Sequence, residues 1–205
     1  MEASMNLFKN NQCSKYVIDY SDPQALHFLT NRIQYMIDQY DYQHWVVVCI
    51  GTDRSTGDSL GPLVGSQLRL YDSTKRVFGT LDEPVHALNL QDTIDIIQNH
   101  YPDSGIIAID ASLGQLTSVG TIQVVNGPLK PGAGVQKNLP EIGHFHITGI
   151  VNVGGFMEYF VLQNTRLSIV MKMADLITHA ITNTTCWNQN SATYRSPSIG
   201  FVDHM

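Results

Sequence analysis

Two hydrophobic patterns alternate along this chain of 205 residues. Short runs that are almost entirely apolar predict strands buried on both faces, as in a parallel sheet. Longer stretches with apolar residues three or four positions apart predict amphipathic helices. The predicted strands are residues 16–20, 45–50, 77–81, 86–88, 105–111, 121–125 and 145–151. The predicted helices begin at residues 21–24, 58, 89 and 154–155.

The first and last of these helices carry the most specific expectations. Ser21 and Gln24 have capping-box spacing, and Pro23 suits the first helical position. The last helix is expected to be the longest and to belong to the core. Its apolar stripe consists of Phe156, Phe160, Leu167, Val170, Ala174, Ile177 and Ile181.

The order of the elements predicts the fold class and the domain limits. Strands alternating with helices, without a repeat or a linker, indicate an α/β protein with a three-layer αβα sandwich around a mostly parallel sheet. We expect residues 15–186 to form this single domain, between a flexible N-terminus (1–14) and a polar C-terminal tail (187–205).

Composition and charge limit the kinds of partner and the cellular compartment that we expect. The net charge of −6 argues against nucleic-acid binding through a basic face. Cys13, Cys49 and Cys186 are widely spaced and odd in number, which is typical of reduced thiols. With neither a leader-like segment nor an apolar run near 18 residues, the sequence predicts a cytoplasmic protein that does not bind membranes.

The segment 44–65 (HWVVVCIGTDRSTGDSLGPLVG) predicts a strand, a glycine loop and a helix. Open α/β sheets place their sites at such loops, at the carboxyl ends of strands. The loop has neither the Walker lysine nor a G-x-G-x-x-G spacing, and its carboxylates Asp53 and Asp58 would repel a phosphate. Nucleotide binding is therefore not expected. Either aspartate would also serve as an ordinary helix cap.

Asp58 and Asp110 form the most informative pair. Each follows or ends an apolar strand, and the carboxyl ends of parallel strands meet at one sheet edge. Two adjacent carboxylates share a proton, which supplies a general base and a general acid. The same pair would also hold a divalent cation. Alternatively, Asp110 simply accepts backbone amides in the following loop.

Further candidates surround this pair. Asp53, Arg54, Thr56 and Ser112 are polar neighbours that would orient the pair or bind substrate. The long loop 127–143 contains Gly132 and Gly134, and long loops are often functional. His144 and His146 have a spacing that permits metal binding, although a polar strand face explains them equally well.

Three motifs resemble known families: GTDRSTGDSLGP at 51–62, AIDAS at 108–112 and PGAGV at 131–135. Together they are similar to the YyaC-type sporulation proteins over essentially the whole chain. The DSLGP turn at Asp58 and the Ile-Asp-Ala strand end at Asp110 are similar to the spore germination protease. More distantly, the pattern resembles hydrogenase maturation endopeptidases, which share this fold.

The resemblance implies a peptidase in which Asp58 and Asp110 activate water, acting on a protein or peptide in the forespore or sporulating cell. Self-association is plausible on the same grounds. The hydrogenase-maturation relatives recognise nickel with two acidic residues and a histidine, and residues 152–155 contain no histidine. This departure argues against nickel recognition. The alternatives are a non-catalytic relative that binds a peptide or partner, and a divalent-metal-binding protein.

Overall fold

The computed structural model describes residues 15–71, 76–131 and 139–188. In chain order the elements are β1 (Lys15–Asp19), α1 (Ala25–Ile37), β2 (His44–Cys49), α2 (Leu60–Tyr71), β3 (Val77–Phe78), α3 (Leu90–His100), β4 (Ser104–Gly114), β5 (Thr121–Asn126), β6 (Phe145–Val153), α4 (Glu158–Gln163), α5 (Leu167–Thr182) and α6 (Thr185–Asn188). Short 3-10 turns span Gly57–Ser59 and Leu116–Ser118. Within the described ranges, no helix combines the length and the apolar character needed to span a membrane.

The six strands form one sheet in the order β1-β5-β6-β4-β2-β3. The strands β3, β2, β4 and β6 run parallel, whereas β5 pairs antiparallel with both β6 and β1. The predicted mostly parallel sheet is therefore confirmed. In the register of the central strands, Cys49 of β2 lies opposite Ile109 of β4. The loop after β2 consequently begins beside the region of β4 that carries Asp110.

Strand β2 shows why the sheet has a helical layer on each face. Trp45, Val47 and Cys49 pack into the core formed with α1, α2 and α5, while Val46 and Val48 pack into the core formed with α3. A run without polar positions thus fills both faces, as predicted, and the three-layer αβα architecture follows. Burial also raises the pKa of the Cys49 thiol, which keeps it protonated and unreactive.

Close backbone approach fixes α2 against the sheet. A methyl group on Gly61 would collide with the carbonyl oxygen of Ile50, and one on Gly65 would collide with that of Gly79. Glycine permits these approaches because it has no Cβ. The start of α2, and with it the turn that carries Asp58, is therefore held at the carboxyl end of β2.

Several strand predictions need correction. Strand β4 continues to Gly114, so Asp110 lies inside the strand. The strand predicted over residues 77–81 is limited to β3 and ends before Gly79, whose φ is +86°.

Residues 86–88 form a turn instead of the predicted strand. The Asn89 side chain closes this turn, because its Oδ1 accepts the His86 N–H at 2.8 Å and its Nδ2 donates to the Pro84 carbonyl at 3.0 Å. A side chain that satisfies both backbone groups removes the need for a strand partner.

The helix predicted to begin at 154–155 is two helices, α4 and α5. Asn164 Nδ2 donates to the Phe160 carbonyl at 2.8 Å, and Thr165 Oγ1 donates to the Val161 carbonyl at 2.9 Å. These side chains compete with backbone N–H groups for the carbonyls of the last turn. The chain then becomes extended at Arg166 before α5 begins.

The predicted core stripe of this segment is correct only in its second half. The buried residues are Val170, Ala174, Ile177 and Ile181. In contrast, Phe156, Phe160 and Leu167 are 88%, 53% and 56% exposed. Further along, Trp187 of the expected polar tail is buried against the core. The apolar surface around α4 therefore faces solvent rather than the sheet.

The capping-box prediction at the first helix is wrong. The Ser21 hydroxyl donates to Asp19 Oδ1 at 2.7 Å, so it is not available to cap the helix. The N-cap residue is Gln24, whose side chain makes no capping hydrogen bond. Helix α1 consequently begins at Ala25, which is buried.

Candidate functional site

The loop after β2 places Asp58 over the end of the strand. The Thr52 N–H donates to the Asp58 carbonyl at 3.1 Å, which closes the loop, and the Ile50 N–H donates to Ile109 of β4 at 2.7 Å. Gly51 has a φ of +149°, and a Cβ there would collide with the Asp58 carbonyl oxygen. The glycine that ends the apolar run is thus required for Asp58 to reach this position.

The half-buried Asp58 side chain does not act as a helix cap. Within the described residues, its carboxylate interacts with a neighbouring serine hydroxyl and receives no backbone amide. The capping alternative therefore has no support in the geometry. The carboxylate remains available for a ligand or for chemistry.

Asp110 approaches from the adjacent strand. It lies opposite Thr148 of β6 and, by strand alternation, on the same sheet face as Ala108. Its Oδ1 accepts the N–H of Ala111 at 2.8 Å. This is a bond within β4, not the cluster of loop amides that the structural alternative required. The carboxyl group is densely surrounded by protein, although part of its surface stays accessible.

The two carboxyl groups interact electrostatically and are unequal. Burial raises the pKa of Asp110 to about 8, the Ala111 N–H lowers it, and the charge of Asp58 raises it further. Burial also raises the pKa of Asp58, and a hydroxyl from Ser55 opposes that rise. At neutral pH Asp110 is therefore the group that holds a proton.

The residues predicted to support the aspartate pair differ in their exposure and in their hydrogen bonds. Asp53 and Arg54 are exposed. The carbonyl of half-buried Thr56 accepts the Ser59 hydroxyl at 2.7 Å. Ser112 lies on the same face of β4 as Asp110, and its hydroxyl donates to the Leu113 carbonyl at 3.2 Å. Gly132 and Gly134 lie outside the described residues.

The two histidines considered as metal ligands have other partners. His144 Nδ1 accepts the Ile106 N–H at 2.9 Å, and its Nε2 lies 3.0 Å from the Tyr42 hydroxyl. His146 Nδ1 lies 2.9 Å from the Gly127 carbonyl oxygen, to which it donates. Both rings are thus engaged in fixing the ends of strands. In the part of the chain that the structure describes, His, Cys, Asp and Glu form no group of three or more with metal-binding geometry.

An open cavity of about 480 Å³ lies along α4 and the end of β6, and no pattern in the sequence predicted it. It is lined by Asn152, Val153, Gly154, Phe156, Met157, Phe160, Val161 and Asn164. From its wall, Asn152 Nδ2 donates to Thr165 Oγ1 at 3.2 Å, and that oxygen lies against Gly57, the residue before Asp58. The cavity is therefore structurally connected to the turn that presents the aspartate.

Ser55 is a second feature of the site that the sequence did not single out. It is 4% exposed and lies in the same loop as Asp58. Its hydroxyl is near the Asp58 carboxylate, but its Oγ makes no hydrogen bond of good geometry within the described residues. The sequence offered only a cluster of small polar residues in this loop, without an indication of which one is buried.

Fold and site together define a three-layer α/β protein with an acidic pair near the carboxyl ends of two adjacent parallel strands. The chain belongs to the family described as "Protein of unknown function (DUF1256)", whose model matches residues 17–180.

Two individual proteins are similar to this chain. "Uncharacterized protein YyaC" of Bacillus subtilis (strain 168) is 48% identical over 192 residues, which cover 92% of this chain and 94% of that protein. The predicted relationship to the YyaC-type family is thereby confirmed. Among solved structures, the NiFe hydrogenase maturation protease HycI from Thermococcus kodakarensis KOD1 has 14% identity and a TM-score of 0.46. The match covers 73% of this chain and 99% of that chain.

Proposed function

We propose that this protein is a peptidase-like hydrolase in which Asp58 and Asp110 activate water against a peptide carbonyl. The observation that carries the proposal is the placement of two interacting carboxyl groups by adjacent parallel strands, and burial raises the pKa of one of them, Asp110, to about 8. An acid and a base that coexist near neutral pH are what general acid–base catalysis needs.

The proposed reaction follows from the available oxygen atoms. Asp110 Oδ1 is engaged by the Ala111 N–H, so the proton is assigned to Oδ2. In the first step Asp58 takes a proton from water, the hydroxide adds to the carbonyl carbon, and Asp110 protonates the carbonyl oxygen. In the second step Asp58 protonates the amide nitrogen, the C–N bond breaks, and Asp110 recovers its proton from the hydroxyl group of the tetrahedral intermediate. The products are a carboxylic acid and an amine.

The cavity along α4 supports a polypeptide substrate. Its walls include the exposed side chains of Phe156, Met157 and Phe160. A pocket with apolar walls and a few polar groups is typical of ligand sites, and these walls suit a large apolar side chain. Together with the resemblance of the DSLGP and IDA motifs to the germination protease, this supports a protein or peptide substrate in the sporulating cell.

A peptide-library digest tests the proposal. The wild type is incubated with a proteome-derived peptide library, and mass spectrometry records new termini. We expect Asp58→Asn and Asp110→Asn each to reduce cleavage by about 10²–10⁴-fold while remaining folded. Asp53→Asn is the matched control, because Asp53 is an exposed acid of the same loop. Wild-type activity in either site variant, or a folded wild type that cleaves no peptide, would contradict the proposal.

The cavity also favours a second candidate, a non-catalytic protein that binds apolar peptides. This candidate predicts that peptides bind without turnover and that Asp58→Asn leaves their affinity unchanged. Calorimetric titration of peptides recovered on the immobilised protein distinguishes the two functions, since the same peptides are analysed for cleavage.

A further inference from the structure

The unpartnered hydroxyl of Ser55 marks an unusual point in the Asp58 loop. Buried polar side chains nearly always have a hydrogen-bond partner, and exceptions require an explanation. Ser59 in the adjoining turn follows the rule, because its hydroxyl donates to the Thr56 carbonyl at 2.7 Å. Ser55, which is equally enclosed, makes no such bond within the described residues.

A carboxylate that could accept a hydrogen bond from Ser55 lies three residues further along the loop, at Asp58. The Asp58 carboxylate lies beside the Ser55 hydroxyl and receives no backbone amide in the described part of the chain. Hydrogen bonds at catalytic groups are often long in the absence of substrate and tighten when it binds. An ionised carboxylate accepts such a bond strongly, whereas a protonated one accepts it weakly.

The backbone of the loop is held on two sides. The Asp58 carbonyl is held by the Thr52 N–H at 3.1 Å. A Cβ on Gly57 would collide with Leu162 of α4, so α4 packs directly against the turn. With the backbone fixed on both sides, the side chains of Ser55 and Asp58 are the parts free to adjust.

We propose that Ser55 is the positioning residue of the pair: its hydroxyl donates to the ionised carboxylate of Asp58 and so makes Asp58 the base and Asp110 the acid. The inference rests on the proposed function for its chemistry, but it concerns the order in which two named carboxyl groups ionise. That order can be measured without a substrate.

Other charged groups around Asp58 do not supply the same effect. In the described part of the chain, Asp110 of β4 has an electrostatic interaction with Asp58, and it is a second carboxyl group rather than a hydrogen-bond donor to the ionised form. Asp53 and Arg54 of the same loop are exposed. Glu158 of α4 accepts the Gly155 N–H at 3.2 Å. Ser55 therefore provides the local hydrogen bond that favours the charged form of Asp58.

The test is a carbon-13 NMR titration of the aspartate carboxyl groups in the full chain carrying Asp110→Asn. This background removes the coupled proton, so that Asp58 titrates alone. We expect Ser55→Ala to raise the pKa of Asp58 by about 0.5–1 unit, because a bond to the charged form is lost. Ser55→Thr keeps the hydroxyl and is expected to restore most of the shift.

A matched control comes from α1. Thr30 Oγ1 is also buried without a partner, and Thr30→Val removes a similar hydroxyl from a different element. It should leave the titration of Asp58 unchanged. An unchanged pKa in Ser55→Ala, or an equal shift in the Thr30 variant, would overturn the inference. A shift specific to Ser55 in a protein that cleaves no peptide would support the inference and remove the proposed peptidase function.

Discussion

Polar side chains at the two ends of the parallel strands differ in how fully they are hydrogen-bonded. At the amino ends, His144 has a partner for each ring nitrogen and is packed among Tyr40, Tyr42 and Trp45, with ring centroids 4.7–6.3 Å away. Toward the carboxyl ends, Asp110 accepts one hydrogen bond from the described residues, donated by the Ala111 N–H. The first arrangement stabilises the fold, whereas the second leaves polar groups available at a cost in stability.

This difference gives the two ends opposite pH dependences. Burial lowers the pKa of His144 from 6.5, so its contribution to stability is present above pH 6.5 and is lost as the pH falls toward the folded value. Burial raises the pKa of Asp110 from 3.8 to about 8, so stability is highest at low pH and decreases as the pH rises through that window. The amino end, with His144, therefore loses stability as the pH falls, and the region of Asp110 loses stability as the pH rises.

The largest expected loss of stability is at the amino end. Replacing His144 with Ala leaves the Ile106 N–H and the Tyr42 hydroxyl without their partner, which should lower the free energy of unfolding by about 2–3 kcal/mol. Urea denaturation at pH 7.5 measures this loss. His100→Ala is the control, because His100 is exposed and its ring, among the described residues, contacts the Ile96 carbonyl of its own helix. Equal stability of the His144 variant and the wild type would break the comparison.

An effect of opposite sign is expected toward the carboxyl end. Asp110→Asn keeps the shape and the acceptor for the Ala111 N–H, but it removes the need to keep a buried acid protonated. We expect the free energy of unfolding to rise at pH 8 and to change little at pH 4, because the cost of keeping the buried acid protonated accumulates between pH 3.8 and about 8. Denaturation at both pH values, with Asp53→Asn as control, checks this. A loss of stability at pH 8 would mean that Asp110 is a structural residue.

Sequence alone predicted the elements whose cause is local. The apolar run Trp45 to Ile50 predicted strand β2. The prediction succeeded because both faces of this run are buried, so its apolar residues have a local cause. The prediction that Asp58 and Asp110 lie close together rests on a general property of parallel sheets. In contrast, the turn at residues 86–88 and the break after α4 depend on single side chains, Asn89 and Thr165, that bond to nearby backbone groups. The spacing of apolar residues along the sequence does not reveal such side-chain hydrogen bonds.

The supporting residues of the site were the least predictable. Asp53, Arg54, Ser55 and Thr56 are four consecutive polar residues, and composition does not separate them. Only the three-dimensional path of the loop makes the first two exposed and buries Ser55. The apolar stripe around α4 predicts core residues, but these side chains are exposed. The pattern of apolar positions is the same whether a helix face packs against the sheet or faces solvent.

The smallest expected effect distinguishes these two uses of an apolar side chain. Phe156 is 88% exposed and lines the cavity, so Phe156→Ser should leave the free energy of unfolding unchanged within about 0.5 kcal/mol. If the cavity binds an apolar side chain, losing the ring should weaken peptide binding by about 1 kcal/mol, or roughly fivefold in Kd. Calorimetry with peptides from the library measures this. Leu70→Ser, at a residue that is 75% exposed on α2, is the matched control. Equal weakening in both variants would show that general surface hydrophobicity, not the cavity, retains the peptide.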